Sequence, residues 1–447
     1  MDNTFRLHIP QKLSTTLYLF MLIFAPPIVP YAHLVLAVYS VIMLLLKYPA
    51  DWKNSFFSCG AYKWVYCMAF LLLYVIVIPL PISFVCDDVV NTSNYISVFN
   101  RFAVLLVVVV SCGVYLISQI SEKELTSHFI IECIIDAGAI EGVLSALAFA
   151  SPSIKNLFIS LMRANSGMSI YNNTWYITVR SYGFAITLSD LIGLGSAFIA
   201  GVGFIYGVLY KRKFIALSII SIIPSLLNAR TGIILYLLCI AVVTILCFFS
   251  GRIKSFAYII VSVALIALVG RYMLEWISSN KYTTGWLMNG FDSVMNFLSK
   301  DSTTSTGSGD SLYNLFHKQS WELPGGIRMF LGTAHSLYRA QGYRQSDVGY
   351  INDIWIFGII GALVMYSVIA SMIIFIIRNS SDILFRYSAV FMGIALIVFN
   401  IKGSAIGYNP GASSILTTLF CMTYFTNKEL EEDTELQEYT DLQENEI

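Results

Sequence analysis

The stretch GIILYLLCIAVVTILCFF, running from Gly232 to Phe249, decides the fold, because it carries no charge from end to end and is closed off by Arg230 before it and Arg252 after it. A helix rising 1.5 Å per residue needs about 20 such residues to cross roughly 30 Å of hydrocarbon. Working outward, runs of the same kind lie at about 62 to 85, 99 to 120, 128 to 150, 184 to 209, 214 to 228, 255 to 274, 349 to 377, 385 to 401 and 405 to 425. Two more share residues 13 to 46, which are too long for one span and are broken by Pro26, Pro27 and Pro30 into a tight hairpin. The expectation is an all-α, polytopic integral membrane protein with about 12 transmembrane helices. Composition agrees: 57% of the 447 residues are hydrophobic, 12% are charged, and mean hydropathy is +0.72. A soluble domain carries about 25% charged residues. Net charge is zero, so nothing points to a nucleic-acid partner. The eight cysteines are scattered, most of them inside apolar runs, and form neither a CxxC pair nor a disulfide framework.

Basic residues in the short connections orient the chain, since cytoplasmic loops carry the excess of Lys and Arg. With the N-terminus inside, inner segments hold Arg6 and Lys12, then Lys47, Lys53 and Lys63, then Lys123, the Lys211, Arg212, Lys213 cluster, Arg252 with Lys254, Arg378 with Arg386, and Lys428. The short outer connections hold little beyond Arg101, Arg230 and Lys402. Both ends therefore lie inside. The chain divides into nine spans over 1–269 with an outer loop at about 151–182, a large outer loop at 270–348, three spans over 349–426, and an acidic tail at 427–447. The large loop contains a Ser/Thr/Gly-rich linker near 302–310, and loops of that length are usually lids or binding segments. The tail reads as a solvated end. No cleavable secretory signal is expected, because the first apolar run leads directly into the second.

The sequence contains no Walker loop, GxSxG, HExxH or clustered metal ligands, and its five histidines have no ligand spacing. What it offers instead is ionisable residues where apolar runs meet the outer face. Arg180 stands just before the sixth span, Arg230 stands in a short turn, and Asp347 stands at the start of a span. An arginine there presents a planar fork of donors matched to phosphate or pyrophosphate oxygens; otherwise it snorkels and anchors a helix end. Asp347 is a general base on a sugar hydroxyl or, with Ser346, a helix N-cap. Tyr343, Tyr350 and Trp355 form a platform for sugar rings or an aromatic belt at the interface. Glu132, Asp136 and Glu141 in one apolar run and Asp190 in the next suit a proton or ion pathway. They equally suit a satisfied polar seam between helices, Glu132 and Asp136 sharing one helix face.

Four short motifs in one order carry a resemblance: RSYGF from Arg180, NARTG from Asn228, SDVGYI from Ser346 and GIIG from Gly358. Together with the span number and the late outer loop, they resemble the bacterial O-antigen polymerase (Wzy) family, itself related to O-antigen ligases. The resemblance implies a glycosyltransferase of GT-C-like, inverting type in the bacterial inner membrane, with both termini cytoplasmic and its site in the periplasm. Such an enzyme moves a growing glycan from one undecaprenyl pyrophosphate carrier onto another carrier-linked repeat unit, with no metal or other cofactor. Arg180 and Arg230 correspond to outer-loop arginines that handle pyrophosphate and glycan, with Asp347 as the third catalytic candidate. Arg339, Tyr343, Arg344 and Tyr350 are the candidate substrate-binding residues. Many relatives have histidine where Asp347 stands, a departure that points away from the ligase. Implied partners are the lipid-linked oligosaccharides, the bilayer, and a chain-length regulator and flippase of the same pathway. The competing function is a lipid-linked oligosaccharide flippase or secondary transporter, against which stands the absence of a visible inverted repeat.

Overall fold

A computed structural model describes residues 4–28, 32–47, 61–86, 111–116, 118, 127–166, 178, 180, 183–185, 189–228, 230–278, 285, 318–334, 348–403 and 411–424. Apart from a 3₁₀ turn at Lys318–Trp321, every regular element among them is an α-helix: α1 (Thr4–Phe24), α2 (Ala32–Lys47), α3 (Ala61–Val77), α4 (Pro79–Cys86), α5 (Ser127–Ala150), α6 (Pro152–Ser166), α7 (Ser189–Leu209), α8 (Lys213–Ser221), α9 (Ile223–Asn228), α10 (Arg230–Phe249), α11 (Ile253–Ser278), α12 (Arg328–Leu331), α13 (Gly349–Asn379) and α14 (Ile383–Phe399). A further helix, α15, covers 411–424.

Five helices are long and apolar enough to cross a membrane, at His128–Ala150, Ile192–Leu209, Thr231–Phe249, Ile253–Tyr272 and Gly349–Asn379. The expected count of about 12 is therefore not reached among the described residues. Prolines account for part of the difference. The run at 62 to 85 becomes α3 and α4, with Pro79 opening the second helix, where a missing N–H costs nothing. The run at 214 to 228 becomes α8 and α9, with Pro224 just past the break. Most of the run at 99 to 120, and the tail at 427–447, lie outside the described residues. The hairpin through Pro26 is present, with α1 and α2 packed together.

Helix α7 is the centre of the bundle and packs against α5, α8, α9, α10 and α14. Its span is 94% buried, whereas that of α11 is 12% buried. Small residues decide this. Gly193, Ser196, Ala197, Ala200, Gly201, Gly203 and Gly207 let neighbours approach the α7 backbone, and interhelical packing in lipid depends on such approach. Helix α11 instead exposes Ile260, Val261 and Leu268.

One end of the bundle is closed by ion pairs. Lys12 Nζ lies 3.3 Å from Glu132 Oε2 and 2.8 Å from Asp136 Oδ2, and Lys211 Nζ lies 2.5 Å from Glu132 Oε1. Tyr206 donates its hydroxyl to Glu132 at 3.0 Å. Asp382 caps α14 through the Leu384 N–H, accepts the Tyr210 hydroxyl at 2.7 Å and meets His128 Nε2 at 2.7 Å. Glu132 and Asp136 do share a helix face, and both are satisfied there as a polar seam. Lys12, Lys211 and the 380–382 connection, all assigned to one side by the basic-residue pattern, thus meet at one end.

Burial would lower the Lys12 pKa, but the hydrogen bonds and charges of Asp136 and Glu132 outweigh it and raise it above the ordinary lysine value. A raised lysine pKa means that the contribution of this contact to stability is complete below pH 10.5 and is lost as pH climbs through the folded-state value. Lys12→Ala is expected to lower stability by about 1–2 kcal/mol at pH 7, as for a part-exposed charged hydrogen bond. Thermal unfolding in detergent at pH 7 and above pH 11 checks this, and an equal deficit at both values would count against it.

Candidate functional site

The opposite end of the bundle is assembled from segments that the sequence reading singled out separately. After α5 ends at Ala150, the chain turns into α6 rather than a loop: Phe158, Ile159 and Met162 are buried, while Leu157 is exposed. The amphipathic α6 lies over the 178–185 segment. Lys155 Nζ donates to the Thr178 carbonyl at 3.5 Å, and the Phe158 and Phe184 rings lie 4.7 Å apart. Burial pulls the Lys155 ammonium below the ordinary lysine range. From the other side, Asn165 Nδ2 donates to the Pro27 carbonyl at 2.8 Å, joining α6 to the first hairpin.

Arg180 is half-buried within this segment, with Nε and Nη1 enclosed. Three residues on, the backbone presses against α5: the Phe184 N–H donates to Glu141 Oε1 at 3.0 Å, and Ser145 Oγ donates to the same oxygen at 3.3 Å. Gly183 sits over that carboxyl with φ 41°, and a Cβ there would collide with both Glu141 Oε1 and Ser145 Oγ. The segment then leads into the N-terminal end of α7.

Arg230 is the first residue of α10, two residues after α9 ends at Asn228. Gly232 keeps this start against α7, since a Cβ there would meet Ser225 Oγ and lie 2.5 Å from the Gly193 carbonyl. Ser225 Oγ also donates to Gly193 O at 3.2 Å, and buried Asn228 donates to Pro224 O at 3.0 Å. Leu227, packed with Phe149, completes the contact with α5. The backbones bearing Arg180 and Arg230 therefore reach the same end of the bundle.

A third component comes from the large loop. Its segment from Lys318 to Ala334 folds into the bundle at a break in α13. Gly358 has φ 67° and ψ 173°, which interrupts the helix. The groups released are taken up by the loop: the Thr333 N–H and Oγ1 each donate to the Trp355 carbonyl at 2.7 Å, and the Ala334 N–H donates to the Ile356 carbonyl at 3.0 Å. Tyr74 reaches across from α3, bonding Phe357 O at 3.0 Å and Leu331 O at 3.2 Å. Non-helical backbone is tolerated at membrane depth only where protein satisfies it in this way.

Of the residues expected from sequence, Asp347, Arg339, Tyr343 and Arg344 lie outside the described residues, as does the Arg230 side chain. The N-cap position of α13 is Val348, with no side-chain cap bond. Tyr350 is half-buried and donates its hydroxyl to Ile397 O at 2.8 Å. Trp355 is neither platform nor belt: it is 2% exposed, and its Nε1 donates to Glu322 O at 2.8 Å. The sequence reading missed Asp353, which is fully buried. Its Oδ2 accepts from Tyr366 at 2.6 Å and from Asn400 Nδ2 at 3.0 Å, tying the two halves of α13 to the end of α14. A carboxylate four residues into a long apolar helix was the available signal. Among the described residues no group of three or more His, Cys, Asp or Glu is placed to hold a metal ion.

In comparisons with protein-family models and with curated proteins, nothing matches this sequence.

Proposed function

We propose that the protein is a membrane glycosyltransferase of the O-antigen polymerase kind. It would transfer a growing glycan from one undecaprenyl pyrophosphate carrier onto the sugar of another carrier-linked repeat unit at the periplasmic face of the bacterial inner membrane. The observation that carries the reading is the meeting of the Arg180 and Arg230 segments at one end of the bundle, away from the ion-paired end. The donor already holds an activated pyrophosphate leaving group. The protein then has to hold that group, neutralise the charge developing on it and orient the acceptor hydroxyl. Arg180 and Arg230 serve the first two tasks, and Asp347 is the candidate base. Arg339, Tyr343, Arg344 and Tyr350 belong to the same proposed binding surface, and a chain-length regulator and flippase are the proposed partners. The ion pairing of Glu132 and Asp136 with lysines favours this reading over an ion-coupled transporter, because both carboxylates are already neutralised by lysines.

The test supplies purified protein in detergent with undecaprenyl-pyrophosphate-linked repeat units, without ATP or added metal. Glycans longer than the input units are expected on gels or by mass spectrometry. A folded preparation that leaves them unextended, yet moves the same lipids across vesicle membranes, overturns the proposal in favour of a flippase. Transfer to lipid A core with chain length unchanged would identify a ligase.

A further inference from the structure

Glu141 is fully buried in the middle of α5, further along the helix than the ion-paired Glu132 and Asp136. One oxygen, Oε1, holds the Phe184 N–H and the Ser145 hydroxyl; the other, Oε2, is enclosed and has no hydrogen-bond partner among the described residues. An apolar side chain of similar size would fill the same space without the cost of a buried, unsatisfied oxygen. The bond to Phe184 is therefore what the carboxyl contributes. Two further features show how closely the segment is fitted to it. Gly183 leaves no room for a Cβ over Oε1, and Phe158 of α6 packs on Phe184 from the opposite side. The backbone from 183 to 185 is thus clamped between α5 and α6, three residues beyond Arg180.

We infer that Glu141 is a positioning residue, a hydrogen-bond acceptor that sets the height and direction of the Arg180-bearing segment and through it the reach of Arg180 toward the pyrophosphate. This rests on the proposed polymerase reading for its consequence, though not for its geometry. It separates Glu141 from Glu132 and Asp136, with which it shares a helix: those two close the far end by ion pairs, while Glu141 serves the arginine-bearing end.

The experiment compares Glu141→Gln and Glu141→Ala in the full chain, each alone and with Arg180→Ala. Glutamine keeps an oxygen for the Phe184 N–H and is expected to elongate lipid-linked units within a few-fold of the wild type. Alanine is expected to lose about 100-fold in kcat/KM, the order that a 1 Å misplacement costs. If Glu141 acts through Arg180, the E141A/R180A double variant is no slower than R180A alone. Additive losses, or glutamine as damaging as alanine, would overturn the inference. Hydrogen exchange supplies a readout that does not depend on the reaction: the Phe184 amide is expected to exchange about tenfold faster in E141A, as for one lost hydrogen bond, and unchanged in E141Q. Unaltered exchange in E141A overturns the positioning role. A wild type that never elongates glycan sinks the polymerase reading alone, and the exchange result still decides the role of Glu141.

Discussion

Alanine at Arg180 or at Arg230 is expected to slow lipid-linked glycan elongation by about 100- to 1,000-fold, the loss seen when a preorganised charge-stabilising donor is removed from an active site. The expectation follows from the proposed chemistry, in which the leaving pyrophosphate gains charge as the glycosidic bond breaks. Lysine is expected to recover only part of the loss at either position, because a point charge replaces a planar fork that bonds two oxygens at once. The R180A/R230A double variant is expected to lose less than the product of the single losses if both side chains hold one pyrophosphate. Single-turnover elongation with the purified variants decides this, together with glycan ladders from cells expressing them at matched levels. Full-length ladders from both alanine variants would show that neither arginine belongs to the site.

Gly358→Ala is expected to cost about 2–4 kcal/mol of stability. A side chain at positive φ costs on the order of 1–3 kcal/mol, and here a Cβ would also collide with the Phe330 carbonyl and lie 2.5 Å from the Gly332 N. The segment that satisfies the broken helix would have to withdraw, leaving the Trp355 and Ile356 carbonyls without the donors that Thr333 and Ala334 supply. Gly251 is the control, since it has φ 66° but nothing within 4 Å of an added Cβ. Its alanine variant carries the strain without the collision. Thermal unfolding and limited proteolysis within 318–334 measure the difference. Equal behaviour of the two variants would mean that the loop does not depend on the break in α13.

The cost of carrying a polar backbone through lipid made the helices readable from sequence. Runs such as 232 to 249 have one stable state in a bilayer, and α5, α7, α10, α11 and α13 lie where such runs were expected. The prolines that divide the runs at 62 to 85 and 214 to 228 were also visible, but a hydropathy run does not register that a proline has made two short helices of it. Arg180 and Arg230 were legible as candidates because a charge beside an apolar run is conspicuous. Glu141 was legible only as an anomaly, since an isolated buried carboxylate suits transport, a seam or a positioning bond equally well.

Apolar length, a local property of the chain, was enough to determine by itself that this protein is helical and carries helices long and apolar enough to cross a membrane. Which helix would sit at the centre, that lysines would neutralise Glu132 and Asp136, that Glu141 would hold the Phe184 amide, and that part of the long loop would fill the break at Gly358 were decided only by tertiary structure. The first depends on close packing between distant helices and the others on groups far apart in the chain meeting at hydrogen-bond distance; a polar group in an apolar run reveals its need for a partner without revealing which distant residue will supply it.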